Sequence, residues 1–452
     1  MREVSAARRE RFRQTLPTSV LKIAELLPLY VVGGFTRNFF MEAQGSTDID
    51  IAGPLSSAEV KKLVGYPVTV VSERLDTSVI AAPEGKLEYT PFRSESYAPG
   101  GGHTPERVSF GAGLFEDSRR RDFSCNTVYY DISRGEFIDL HNGVGDIGNK
   151  ILRAVPEPER VFASDGLRLM RLARLAAETG FAIDPETFRV AAARAAQLGD
   201  ISKERKAQEL NRILNADRVY GVEDAHYRGL KLLGELGLWR YVIPELEAGM
   251  GIGQNPKYHK FDVYEHSLQT VKFAPADIRL AALLHDIAKP LCLKRDGNMH
   301  NHAADGAVMT RNILTRLGYP NAVRARTARL VALHMFDLAH NTRPNKLRCF
   351  VAENSDIIGE LAELIVADGY ATGFPYVRNE RLTDTLRRMR EEGTPLSIGG
   401  LAVSGTDLTS AGILDKLIGR VLKELLNEVI CGNLANEKGA LTRRAARLAK
   451  SL

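Results

Sequence analysis

Apolar positions change their period partway along the chain. Between Leu29 and Val155 they come in short runs, Leu29-Tyr30-Val31-Val32, 67–71 (PVTVV), 127–132 (TVYYDI) and 136–140 (EFIDL), separated by turn-forming residues. Runs of this length, rich in β-branched and aromatic side chains, predict strands of a small sheet. Residues 1–28 read as an introductory helical segment, and Pro99-Gly100-Gly101-Gly102 as a mobile loop. Beyond Arg153 the apolar spacing becomes three and four, over 162–178, 186–197, 203–215, 226–238 and most of the remainder, which predicts helices. Turn signals near Gly249–Pro256 and at 393–400 (Gly393-Thr394-Pro395, then Gly399-Gly400) mark boundaries within that helical part. The fold class expected is α+β: a small mixed-sheet head with an N-terminal helix (1–153), an all-helical neck (154–250), a further helical domain (251–392) and a helical tail (393–452).

Composition narrows the class. A chain of 452 residues exceeds what one core usually supports, and 44% apolar with 26% charged residues excludes extended disorder. The net charge of +5 permits a polyanionic partner without requiring one. Basic residues gather at Arg8-Arg9, Arg119-Arg120-Arg121 and Arg443-Arg444, although a charge run is usually a solvated face. Cys125, Cys292, Cys349 and Cys431 form no CxxC pair, so neither a zinc site nor a disulfide framework is expected, and reduced cytoplasmic thiols fit best. No apolar run approaches bilayer length and the charged N-terminus leads into no signal-like core, so a cytoplasmic protein without membrane association is expected.

Candidate chemistry opens at 31–50, VVGGFTRNFFMEAQGSTDID. Gly33 and Gly34 after an apolar strand let backbone N–H groups approach an anion closely, and Arg37 adds a fixed guanidinium fork. Asp48 and Asp50 flank one residue, and on a strand alternate side chains share a face, where paired carboxylates suit Mg²⁺. A turn followed by an exposed acidic loop explains either half alone; together and in order they point to metal-assisted attack on a nucleoside triphosphate. Arg120-Arg121-Asp122-Phe123-Ser124-Cys125-Asn126 sits ahead of the strand at 127–132. Its guanidiniums can clamp a triphosphate and Asp122 can accept from a ribose hydroxyl, with a surface ion-pair cluster as the plainer alternative.

GGxxR with DxD, followed by RRDF-x-x-N, resembles the class II tRNA nucleotidyltransferase and bacterial poly(A) polymerase family, which includes the CCA-adding enzymes. The match continues through 88–97 (EYTPFRSESY), 139–153 (DLHNGVGDIGNKILR), 162–181 (FASDGLRLMRLARLAAETGF), 201–214 (ISKERKAQELNRIL) and, in the tail, PLSIGG and 419–441, so it covers most of the chain. The resemblance implies that Asp48 and Asp50 bind catalytic metals, with Glu88 as a third carboxylate nearby. It also implies that Gly33, Gly34 and Arg37 hold the triphosphate, that Arg120, Arg121, Asp122 and Asn126 contact ribose and phosphate, and that 139–153 is the head–neck hinge. Asp165 and Arg168, one turn apart on a helix starting near Phe162, would read the incoming base, with Arg171 also on the nucleotide. Cytosine and adenine offer an amino donor where guanine and uracil offer a carbonyl, so an aspartate acceptor beside an arginine donor would select CTP and ATP. A helical ion pair is the plainer reading of two such residues in isolation. The chain departs from the family at Asn38 and Ser164, where acids are usual, and in 99–105 (PGGGHTP), which lacks the usual basic residues.

A second candidate centre lies in 279–290 (RLAALLHDIAKP), with His285 and Asp286 adjacent in an apolar helix. Buried His and Asp are expected to be paired or metal-bound. With His266 upstream and Asp368 downstream, the order resembles the HD phosphohydrolase superfamily and implies one divalent metal, Ni²⁺ or Mn²⁺ among the possibilities. His302 and His334 are candidates for a second metal, and Lys289 for a substrate phosphate.

The reading is therefore an enzyme adding CMP and AMP to the 3′ end of tRNA, with Mg²⁺ in the head and an HD phosphohydrolase activity besides. Its alternatives are a poly(A) polymerase, a partial CC- or A-adding enzyme, a protein whose principal activity is HD hydrolysis, and a non-catalytic RNA-binding protein, which the intact DxD disfavours.

Overall fold

The computed structural model describes residues 4–43, 49–97 and 105–451. The head is built on a mixed sheet. Its strands are β1 (Tyr30–Val32), β2 (Ile49–Gly53), β3 (Val68–Ser72), β4 (Thr77–Ala82) and β5 (Gly85–Pro91). A separate antiparallel pair, β6 (Arg93–Ser96) and β7 (Arg107–Phe110), precedes β8 (Val128–Asp131) and β9 (Glu136–Asp139). The seven-stranded sheet runs β3-β4-β5-β2-β1-β8-β9. Within that sheet, among the described residues, β2 and β5 are the one parallel pair, and this sets their side chains in register.

The introductory segment is part of the core. Helices Ala6–Gln14 and Thr18–Ala24 lay Phe12, Leu16, Val20 and Ile23 against Val31, Ile51, Ile80, Leu87 and Tyr130 of the sheet. The Phe12 ring meets Phe35, Phe39, Tyr130 and Phe137 at centroid distances of 5.7, 4.9, 4.6 and 4.9 Å, mostly edge to face, the arrangement that the aromatic quadrupole favours.

Beyond the head the chain is helical. The neck centres on Leu167–Thr179, whose Leu169, Met170, Leu172, Ala173, Ala176 and Ala177 are fully buried. At the hinge segment, Asp139 accepts from the backbone N–H groups of Gly143 and Val144, and Asp146 accepts from Ser124 and Arg153.

By compactness the chain divides into two units, 1–247 with 316–319, and 248–315 with 320–452, so the break falls at the edge of the turn segment expected near 249–256. In the second unit, helix Ile358–Ala371 packs on Val263–Phe273, and the C-terminal helices Asp415–Ile430 and Lys438–Ser451 close a small core of Leu401, Leu408, Val421, Leu425 and Leu441. All four cysteines are free thiols, with the sulfurs of Cys349 and Cys431 2.8 Å apart. No helix among the described residues is long and apolar enough to cross a membrane.

Candidate active sites

In the head, β1 ends in a turn at Gly33 and the chain re-enters as helix Gly34–Met41. Gly33 has φ +88°, and a Cβ there would lie 2.7 Å from Asp50 Oδ2, so both backbone conformation and proximity to the carboxylate demand glycine. β1 and β2 pair with Val32 opposite Asp50, and β2 and β5 with Asp50 opposite Glu88. Asp50 and Glu88 are thus solvent-exposed neighbours on one face, between the buried pairs Ile49/Leu87 and Ile51/Tyr89. Asp48 and loop residues 99–104 lie outside the described residues.

Arg37, one turn into the helix, is buried. It donates to Asn126 Oδ1 at 2.6 Å, to Asn38 Oδ1 at 3.2 Å and to the hydroxyl of Tyr220, a neck residue, at 2.6 Å. Arg120 and Arg121 converge on Asp117, a fully buried carboxylate. Arg120 Nε lies 2.8 Å from Oδ1, while Arg121 donates to Oδ2 at 3.1 and 3.2 Å and to Tyr129 at 2.7 Å. Burial raises the Asp117 carboxyl, but the two guanidiniums outweigh it and hold it below its usual range. Asp122 precedes a short 3₁₀ turn, Ser124–Asn126, rather than the strand directly. Its Oδ1 accepts from Asn126 at 3.0 Å and from the Phe123 N–H at 2.9 Å, and its Oδ2 from Arg171 at 2.5 and 3.0 Å. Burial again opposes ionisation, and Arg171 prevails, keeping Asp122 well below the usual carboxylate range.

The expected helical pair Asp165–Arg168 is corrected. Helix Pro158–Ser164 ends at Asp165, which has extended backbone (φ −150°), and Leu167–Thr179 begins anew after Gly166. Beside the break, a Cβ on Gly166 would meet the Gln197 carbonyl at 2.3 Å, so the chain passes too close to its neighbour there for any other residue. Asp165 Oδ1 accepts from the Leu167 N–H at 2.9 Å, and its Oδ2 pairs with Arg205 at 2.8 Å instead of with Arg168. Arg168 donates to Ser164 Oγ (2.6 Å), Val161 O (3.2 Å) and Arg120 O (2.6 Å), which ties the segment around Asp165 to the Arg-Arg-Asp segment. Ser164, where the family has an acid, accepts from Arg168 without neutralising it.

Sequence reasoning missed Asp117, Arg205 and Tyr220. Asp117 stands three and four residues before Arg120 and Arg121, a spacing that signals helical pairing. Arg205 and Tyr220 lie 40 and 183 residues from their partners, and no local pattern points to them.

In the second unit five helices converge on Asp286. His266 lies on Val263–Phe273, His302 begins His302–Arg316, His334 follows Asn321–Leu333, and Asp368 is on Ile358–Ala371. His285 and Asp286 follow Arg279–Leu284 in a turn before helix Lys289–Asp296, so the continuous apolar helix expected over 279–290 is interrupted where the ligand-type residues sit. The Nδ1 atoms of His266, His285, His302 and His334 face the carbonyls of Ala371, Ala282, Met299 and Val331 at 3.2, 2.8, 2.8 and 2.7 Å. Nδ1–H donation to a carbonyl fixes the tautomer and leaves Nε2 as an acceptor, the arrangement of metal-ligating imidazoles. The Nε2 atoms then turn inward. His266 is 2.9 Å from Asp368 Oδ1, and His285 3.2 Å from Asp286 Oδ2. On the other side, His302 and His334 lie 3.2 and 3.8 Å from Asp286 Oδ1 and 3.2 Å from each other. Two ligand-compatible groups result, His266/His285/Asp368 and His285/Asp286/His334. His285 Nε2, fully buried, makes no hydrogen bond among the described residues, and this donor set fits a divalent cation. Burial lowers the His334 imidazole to about 4, whereas at His285 burial is outweighed by the carboxylates of Asp286 and Asp368, which raise it to about 10, so the two imidazoles are pushed in opposite directions until a cation takes up the carboxylate charge. Lys289 Nζ lies 2.5 Å from Asp286 Oδ2 and donates to Gln254 at 2.6 Å.

Comparison with known proteins identifies three domains along the chain. Residues 29–153 match the Poly A polymerase head domain, 180–250 the probable RNA and SrmB-binding site of polymerase A, and 263–370 the HD domain. The A-adding tRNA nucleotidyltransferase of Deinococcus radiodurans is 34% identical over 365 residues, covering 76% of this chain and 77% of that protein. The CC-adding tRNA nucleotidyltransferase of Thermus thermophilus is 30% identical over 364 residues, 76% of each. The crystal structure of the Bacillus stearothermophilus CCA-adding enzyme in complex with CTP has a TM-score of 0.67 at 23% identity, covering 96% of this chain and 99% of that one, and shares the fold. Head and HD domains of these kinds both depend on divalent metal ions. The chain belongs to the poly(A) polymerase/tRNA nucleotidyltransferase family and is a nucleotidyltransferase carrying an HD domain.

Proposed function

We propose that the head adds CMP and AMP from CTP and ATP to the 3′ end of tRNA, building or repairing CCA in the cytoplasm. The observation that carries this reading is the β2–β5 register, which sets Asp50 beside Glu88 next to the Gly33 turn. Asp48, Asp50 and Glu88 would hold Mg²⁺. Bound there, the metal lowers the pKa of the terminal 3′-hydroxyl and neutralises charge on the departing pyrophosphate. The backbone N–H groups after Gly33 and the Arg37 guanidinium bind the triphosphate. Arg120 and Arg121 add positive charge beside it, while Asp122, Asn126 and Arg171 form the polar wall that orients the sugar. Asp165 accepts the amino group of cytosine or adenine and Arg168 donates to a ring nitrogen, so the carbonyl of guanine or uracil is repelled. Basic surfaces of neck and tail grip the tRNA by phosphate contacts and shape.

In the second unit His266, His285, Asp286 and Asp368 would hold a divalent transition metal, Ni²⁺ or Mn²⁺, with His302 and His334 completing a second position. Such an ion activates water for attack on a phosphoester. Lys289 stands beside it to pair with a phosphate oxygen.

Addition of only part of the triplet is the second reading, favoured by the A-adding and CC-adding relatives. Incubating tRNAs that lack A, CA or CCA with CTP alone and with ATP alone separates the two. Acceptance of CTP by the two shorter substrates and of ATP by the first supports full addition, whereas response to a single nucleotide supports the partial activity.

A further inference from the structure

Arg37 is a buried cation whose hydrogen-bond acceptors, Asn126 Oδ1, Asn38 Oδ1 and the Tyr220 hydroxyl, are all uncharged. Its Nε is buried without a hydrogen-bond partner among the described residues, as is Asn38 Nδ2. A buried guanidinium costs free energy unless its charge is met, and an unused donor beside it marks where an anion completes the set. The family ordinarily has an acid at position 38, which would pair with the guanidinium directly. Here the side chain is an amide, and the Tyr220 hydroxyl takes up the geometry that a carboxylate would supply. It accepts from Arg37 at 2.6 Å and donates to Asn38 Oδ1 at 2.7 Å, closing a triangle, while its ring lies with its centroid 5.8 Å from the guanidinium carbon. From Arg37 the hydrogen bonds continue through Asn126 to Asp122 and Arg171. The helix Asp217–Tyr220 is a neck element 183 residues away in sequence from the head residue it holds.

We propose that Tyr220 is a positioning residue for the nucleotidyl transfer: with Asn38 it fixes Arg37 against the incoming triphosphate through uncharged hydrogen-bond acceptors. The inference rests on the reading that Arg37 meets the triphosphate. Its chemistry predicts a role in nucleotide affinity for CTP and ATP alike, because phosphate is common to both, and none in tRNA affinity. Hydrogen bonds to charged groups of this kind correspond to roughly tenfold or more in an equilibrium constant.

The experiment compares Tyr220→Phe, Arg37→Lys and the double variant Tyr220→Phe/Asn38→Asp in the full chain, measuring the equilibrium Kd for CTP, the KM for CTP, ATP and tRNA, kcat and Tm. Tyr220→Phe is expected to raise the Kd for CTP and the KM for both nucleotides about tenfold, with kcat and the tRNA KM nearly unchanged and Tm lowered only by the loss of one hydrogen bond to Arg37. Asn38→Asp in the Phe background is expected to recover most of the loss, since the carboxylate then holds Arg37 directly. An unchanged nucleotide Kd in Tyr220→Phe overturns the inference, as does a loss shared equally by tRNA KM and Tm or one that Asn38→Asp fails to relieve. If Arg37→Lys itself leaves the nucleotide Kd unchanged, the underlying reading of Arg37 fails instead, so the two failures are distinguishable.

Discussion

At the scale of single residues, carboxylates in the head differ in how far they are committed. Asp117 and Asp122 are buried among guanidiniums, whereas Asp50 and Glu88 are solvent-exposed neighbours across β2 and β5, with Asp50 acting electrostatically on Arg121. Glu88→Gln is therefore expected to leave stability within about 0.5 kcal/mol, as surface substitutions do. Incorporation of CMP should fall at least about a hundredfold if Glu88 shares the metal; a folded variant with unimpaired kcat removes Glu88 from the site. Asp122→Asn acts on stability. A carboxyl whose folded pKa is depressed stabilises the native state above its unfolded pKa and loses that contribution as pH falls through the folded value. The variant should lose about 2 kcal/mol at pH 7, with Arg171 part-exposed. The gap should hold down to about pH 5 and narrow below about pH 4 in urea denaturation; a gap independent of pH would show that the ion pair is not its source. The strand and glycine turn at Gly33 were legible because they follow from residues a few positions apart. Asp165 was placed on a helix face but stands in an extended break between two helices, and its partner Arg205 lies 40 residues away, where no local periodicity points.

Among the elements, long apolar or strictly periodic segments were legible and mixed ones were not. β1, β3, β8 and β9 follow from apolar runs, but β4 and β5 (TSVIAA and GKLEYTP) carry too few apolar residues to stand out. Their strand state depends on pairing with β3 and β2. The N-terminal helix looked peripheral because its charged residues dominate; its one fully buried side chain, Phe12, holds four aromatic neighbours. Phe12→Ala should cost about 3–5 kcal/mol in chemical denaturation, and a loss below about 1 kcal/mol would return this helix to the periphery. In the HD domain, the same periodicity that revealed apolar helices hid the turn at His285–Asp286, because buried turns share the composition of buried helices.

For the whole molecule, the residues proposed for nucleotidyl transfer and those proposed for hydrolysis fall in different compact units, so the two proposed activities should separate. Asp286→Asn is expected to lower bound Ni²⁺ or Mn²⁺ and abolish phosphohydrolysis while CMP incorporation persists, and Asp50→Ala to do the reverse. Loss of both activities in either folded variant would contradict independent centres. The most direct test of the central claim extends a tRNA lacking CCA with CTP, ATP and Mg²⁺ together, beside an unrelated RNA, and resolves the products at single-nucleotide length. The account predicts three additions to the tRNA, two of C and one of A, followed by arrest, and no tail on the other RNA. Long adenylate tails on both, or no extension of the tRNA, would contradict it.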